Sequence, residues 1–222
     1  MNRLPASLTA GDGKVIINEM LEWTIDPCLE FVQTECRTMV SVRQANLVTS
    51  CLGFVDMLIE DIANEEDACD NRYLRLWLQA AIVFSLIWGI AGCLDYNSRK
   101  KFDRFLRNLM AGTNENHPLP KQLGQRLEFP FPESGLVYDF YYKMKSRGSW
   151  KHWNDKNRAN ENFSDRKIRE IIVPTMDTAR YKFFVDLCIL KRRPLLYVGP
   201  TGTGKSVYVQ EKLMREIDKE KY

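Results

Sequence analysis

Up to about position 110 the chain repeats apolar residues at helical spacing. Between Val15 and Val40 the apolar residues Ile16, Met20, Trp23, Pro27, Leu29, Phe31 and Val32 predict helix. A break or kink is expected near Asp26-Pro27, because proline removes one backbone hydrogen bond and crowds the preceding turn. Ser41 is the expected N-cap of a second helix, with Leu47, Val48, Cys51, Leu52, Val55, Leu58, Ile59 and Ile62 on one face. That helix runs into Asn64-Glu65-Glu66-Asp67, which reads as a solvated loop rather than a metal site. Leu76 to Leu94 then carries no charge over 19 residues, long enough to span a bilayer. Gln79, Gly89, Gly92 and the amphipathic neighbours favour a helix buried inside a helical unit instead. Ser98 to Met110 closes the series. Phe102, Phe105, Leu106 and Leu109 lie on its apolar face, and Arg99, Lys100, Lys101, Arg104 and Arg107 on the other.

The periodicity stops at Ala111. Gly112, Pro118, Pro120, Gly124, Pro130 and Pro132 mark a linker, so the expected domains are 1–112, a linker at 113–135, and 136–222. Leu136 to Met144 and Ser149 to Trp153 flank Ser146-Arg147-Gly148 and predict a β-hairpin. Its interleaved lysines and aromatics fit packed rings with solvated cations better than a nucleic-acid platform. Lys156 to Asn162 is polar and predicts loop, and Ile168 to Val173 is apolar. Ala179 to Leu190 predicts helix, with Asp177 or Thr178 as its cap. A short apolar run, Leu195 to Val198, has the look of a buried parallel strand. Val207 to Glu220 follows as an amphipathic helix with Val207, Gln210, Leu213, Met214 and Ile217 along one stripe. The expected fold is therefore mixed but mainly α: a helical lid-like bundle, then an α/β phosphate-loop subdomain with a small β-hairpin.

Composition narrows the classes. The 222 residues are 45% hydrophobic and 27% charged, with a net charge of +3, too small to point to nucleic acid or an anionic membrane as partner. The six cysteines form no C-x-x-C pair, and the two histidines complete no zinc spacing. No secretory leader pattern opens the chain, and the thiols are expected to be reduced core cysteines of an intracellular protein.

The chemistry concentrates near the end. Gly199-Pro200-Thr201-Gly202-Thr203-Gly204-Lys205-Ser206 spells G-x-x-x-x-G-K-[ST] between a strand-like run and a helical one. Glycines let backbone N–H groups turn inward around a phosphate, and the start of a helix adds positive potential there. Lys205 would reach the outer phosphates, and the Ser206 hydroxyl would hold Mg²⁺. The motif predicts a nucleoside triphosphate site. Hydrolysis also needs an acidic residue on a second core strand and a γ-phosphate sensor. The sixteen residues after Ser206 are too few for these, so a phosphate cradle without its catalytic half is expected.

Three blocks of residues resemble one family. Ile172-Val173-Pro174-Thr175-Met176-Asp177-Thr178-Ala179-Arg180, followed by Pro194 to Ser206, is similar to the opening of the third AAA+ module of dynein heavy chains. Phe129 to Asp139 and Trp150 to Asn154 resemble the entry to that module, and Phe84 to Gly89 with Arg99 to Asp103 the helical end of the second. The inner-arm axonemal type fits best.

The resemblance implies a ring-shaped ATPase motor binding ATP or ADP with Mg. It implies partners among the remaining AAA+ modules, other dynein chains and microtubules, and a place in the cytoplasm, cytoskeleton and ciliary or flagellar axoneme. No nucleic-acid or membrane partner is implied. Gly199, Pro200, Thr201, Gly202, Thr203, Gly204, Lys205 and Ser206 would form the phosphate loop, with Val173 and Pro174 near the adenine. In the family this third site is regulatory. The competing expectation is a non-catalytic helical interaction module with a vestigial phosphate loop.

Overall fold

A computed structural model describes residues 12–64, 71–124, 127, 130–157 and 175–216. The chain divides between Lys151 and His152 into two compact units. Helices dominate, and among the described residues the one sheet is a two-stranded hairpin.

The first unit is a helical bundle. Helix α1 (Asp12–Glu35) runs through Pro27 as a single element, so of the expected break or kink a break does not occur. Packing overrides the proline's local cost, since Trp23, Pro27, Cys28 and Leu29 are all buried along it. Helix α2 (Gln44–Asn64) begins three residues after Ser41, where Asn46 N and Leu47 N donate to the Arg43 carbonyl. Ser41 therefore lies outside the first turn. The predicted apolar face is largely buried: Cys51, Val55, Ile59 and Ile62 are at most 4% exposed, although Leu52 faces outward.

Helix α3 (Asn71–Ser85) continues into a π-helical turn, Leu86–Ile90. Tyr73–Ile90 is long and apolar enough to cross a membrane, but 83% of the stretch is buried inside the unit. It serves as the central core helix, with even Gln79 enclosed. Gly89 on the π-turn lies against the backbone of Cys51 on α2. A Cβ built there would fall 2.4 Å from the Cys51 Cα, so the close helix contact requires glycine.

Helix α4 (Tyr96–Met110) starts at Asp95, whose carboxylate accepts the Ser98 N–H at 2.8 Å. That hydrogen bond holds the Asp95 carboxyl below its ordinary pKa. Phe31 on α1 stacks on Phe105 of α4, with ring centroids 4.2 Å apart.

The Pro/Gly-rich segment packs onto these helices. Leu123 and Leu127 are buried, Trp23 Nε1 donates to the His117 carbonyl, and Arg75 reaches the Gln122 carbonyl. Asp103 and Arg107 of α4 hold its end. Asp103 Oδ1 accepts from Arg107 Nε at 3.0 Å and from Val137 N at 2.7 Å, while Arg107 donates to the carbonyls of Pro132 and Gly135.

The hairpin forms where predicted, from β1 (Phe140–Lys143) and β2 (Ser149–His152). Its turn places Ser146 and Gly148 at positive φ. Its aromatics are packing residues: Trp150 stacks on Phe131 at 4.2 Å and meets Tyr142 edge-on. The described cysteines Cys28, Cys36, Cys51, Cys93 and Cys188 are thiols rather than disulfides, and Cys69 lies outside the described residues.

The second unit contains a single-turn helix α5 (Asn154–Asn157), helix α6 (Met176–Leu190) and helix α7 (Lys205–Glu211), which passes into a π-turn at Lys212–Glu216. Trp153, fully buried, packs against Phe183 and Phe184 of α6. The cap of α6 is Thr175, rather than Asp177 or Thr178. Its Oγ1 accepts the Thr178 N–H, and Thr178 Oγ1 accepts the Thr175 N–H in return.

Candidate functional site

The predicted phosphate loop joins Pro194 to helix α7. Leu195 to Val198 forms no regular element, and among the described residues no neighbouring strand pairs with it. The expected buried strand is therefore open, with Leu196 82% and Val198 50% exposed. A parallel strand is stabilised by hydrogen bonds from both sides, and an apolar run alone supplies none of them. One side chain anchors the segment, as Tyr197 Oη donates to the Tyr181 carbonyl of α6 at 2.6 Å. Burial pushes the Tyr197 phenol above its ordinary pKa.

The loop then turns through two left-handed glycines, Gly202 (φ 79°) and Gly204 (φ 77°). Gly204 is the N-cap of α7, and its carbonyl accepts the N–H groups of Val207 and Tyr208. A side chain at either position would be strained by the backbone. The predicted helix after the motif is present from Lys205, though its stripe residues Val207, Leu213 and Met214 are exposed. Ile217 lies outside the described residues.

Lys205 folds back over the loop that precedes it. Its Nζ donates to the Gly199 carbonyl at 3.1 Å, to Thr203 Oγ1 at 2.9 Å and to the Pro200 carbonyl. Thr203 Oγ1 in turn donates to the Pro200 carbonyl at 3.0 Å. The ammonium is thus held inside the arc of Gly199 to Gly204 by neutral oxygens that anionic oxygens could replace with stronger contacts. This donor set fits a phosphate chain. Ser206 is exposed beside it. Among the described residues no group of three or more His, Cys, Asp or Glu converges on a metal site. Val173 and Pro174 lie outside the described residues.

Sequence reasoning missed the support behind the loop. Tyr208 on α7 lies four residues after Gly204, a spacing that turns a helical side chain back toward the N-terminus. Its ring atoms approach within 3.5 Å of where a Gly204 Cβ would stand. Tyr181 on α6 bridges Tyr208 and Tyr197, with centroid distances of 5.5 and 5.4 Å. Two ion pairs, Lys182–Glu211 at 3.0 Å and Lys212–Asp186 at 2.6 Å, also tie the α7 region to α6. The glycine-to-tyrosine spacing was a usable signal, whereas the contacts to α6 had none.

Comparison with known proteins places this geometry in context. A family profile described as the dynein heavy chain AAA lid domain matches residues 17–155. A second, described as the P-loop containing dynein motor region, matches residues 161–222. The chain is 41% identical over 228 aligned residues to dynein axonemal heavy chain 12 of Rattus norvegicus, covering 100% of this chain and 7% of that protein. It is 38% identical over 223 residues to dynein axonemal heavy chain 3 of Homo sapiens, covering 96% of this chain and 5% of that one. Against human dynein axonemal heavy chain 12 the identity is 51% over 146 residues, 65% of this chain and 5% of the relative. The chain thus spans a small part of the length of these relatives.

Proposed function

Because the chain belongs to the dynein heavy-chain family, with axonemal heavy chains among its relatives, we propose that it is the part of an axonemal motor, of the inner-arm type, where the helical lid of one AAA+ module is followed along the sequence by the nucleotide site of the next. In this reading residues 1–112 are the lid of the second module, 113–135 the connection, and 136–222 the start of the third. The loop Gly199 to Ser206 binds ATP or ADP. Lys205 contacts the outer phosphates, and the Ser206 hydroxyl holds Mg²⁺, which screens the phosphate charge when bound. Val173 and Pro174 contribute near the adenine. The site is a regulatory one, whose acidic catalytic half is not among these residues, and it acts within a minus-end-directed microtubule motor of cilia and flagella.

The observation that carries the nucleotide reading is the Lys205 ammonium, held within a loop closed by two left-handed glycines at the start of a helix. Isothermal titration of the 222-residue chain with Mg-ATP and Mg-ADP tests it. Saturable binding is expected, weakened about 10- to 100-fold in Lys205→Ala by loss of charge-assisted hydrogen bonds. No binding by the parent chain, or equal binding by the variant, refutes the reading and leaves a non-catalytic helical module with a vestigial loop.

A further inference from the structure

We propose that Tyr208 is a positioning residue that latches the phosphate loop to the N-terminal cap of α6, so that occupancy of the loop is transmitted to that cap. The proposal rests on the nucleotide reading above and adds a route by which the site is read by the rest of its unit.

Gly204, with φ at 77°, is the pivot where the loop becomes helix, and the Tyr208 ring lies 3.5 Å from where a Cβ on it would stand. A rearrangement of the loop about that pivot therefore displaces the ring. The other end of the ring meets α6, where Tyr208 Oη lies 3.4 Å from Thr178 Oγ1. That hydroxyl is already shared, since it accepts the Thr175 N–H at 3.1 Å and lies 3.0 Å from Thr175 Oγ1. Thr175 and Thr178 together form the reciprocal cap of α6. One oxygen thus belongs both to the helix cap and to the residue leaning on the loop pivot.

The surrounding contacts give the latch a fixed support. Tyr181 flanks Tyr208 from α6 and also holds Tyr197, two residues ahead of Gly199. Lys182–Glu211 and Lys212–Asp186 hold the remainder of the α7 region to α6. With those anchors in place, movement at Gly204 is directed to the Thr178 end of the ring rather than spread along α7. The threonine cap is the element with two arrangements, closed or frayed, because helix ends open more readily than helix centres.

Amide hydrogen exchange with and without Mg-ATP tests the latch on the full chain, comparing a loop peptide (199–208) with a cap peptide (175–183). In the parent, nucleotide is expected to slow exchange in both, by at least about threefold. Tyr208→Phe keeps the ring and removes only the hydroxyl. It should retain loop protection, weaken Mg-ATP binding by no more than about fivefold, and lose the protection of the cap. Thr178→Ser keeps the shared hydroxyl and should retain cap protection, the result a merely structural loss would not give. Unchanged cap protection in Tyr208→Phe overturns the latch, as does protection confined to the loop in the parent. No loop protection in the parent overturns the nucleotide reading, and the latch with it.

Discussion

Replacing Gly89 with alanine puts a methyl group into the backbone of the neighbouring helix. The new Cβ would lie 2.4 Å from the Cys51 Cα, 2.6 Å from its nitrogen and 3.0 Å from its Cβ. No side-chain rotation relieves contacts with backbone atoms. Either α2 or the π-turn must withdraw by about 1 Å, in an interior packed too densely to absorb the shift. Overpacking of this kind costs about 3 kcal/mol, offset by about 1 kcal/mol from replacing glycine in a helical backbone. The net loss of about 2 kcal/mol lowers the melting temperature by about 4–8 °C in a unit of this size. Gly53, two residues from Cys51 on α2, provides the internal control. A Cβ there meets nothing within 4 Å, so Gly53→Ala gains only the helix term of about 0.5–1 kcal/mol and melts higher. Circular dichroism melts of the two variants beside the parent decide the matter. A Gly89→Ala chain that melts at or above the parent, or a Gly53→Ala chain that melts lower by more than about 2 °C, would refute the reasoning.

Asp103→Ala strands the Val137 N–H and releases the Arg107 fork, both of which Asp103 Oδ1 now holds. A loss of about 3 kcal/mol in urea titrations is expected, with faster proteolysis within 113–135, and unchanged cleavage would count against the clamp. Raising the pH should destabilise the chain. Burial pushes the Cys36 thiol up to about 11 and the Cys51 thiol up to about 12, from an ordinary value of 9.0. The folded state keeps those protons where the unfolded chain has lost them. Stability from this source is therefore complete below about pH 9 and is lost as the pH rises from there to about 12. Melting temperatures that stay level or rise over that window contradict the assignment.

The sequence determined by itself where the longer helices and the hairpin lie, because each depends on neighbours within a turn or two. The 3.6-residue repeat of α2 and α4, the Ser146-Arg147-Gly148 turn and the glycine–lysine loop are all local patterns. The same locality explains what it misjudged. Pro27 argues for a break, yet buried neighbours on both sides of it carry α1 through. Leu195 to Val198 has strand composition, but a strand is a relation between segments, and among the described residues none pairs with this run. The N-cap of α6 is Thr175, just ahead of the expected Asp177 or Thr178, since several side chains near that helix start have capping chemistry and only the backbone course selects among them.

Tertiary structure alone decided that Gly89 faces Cys51 and that three tyrosines gather behind the loop. Each of these joins residues far apart along the chain, and no periodicity encodes which distant faces will meet. Residue spacing specifies chemistry along a single element, while packing between elements determines which of those groups become neighbours.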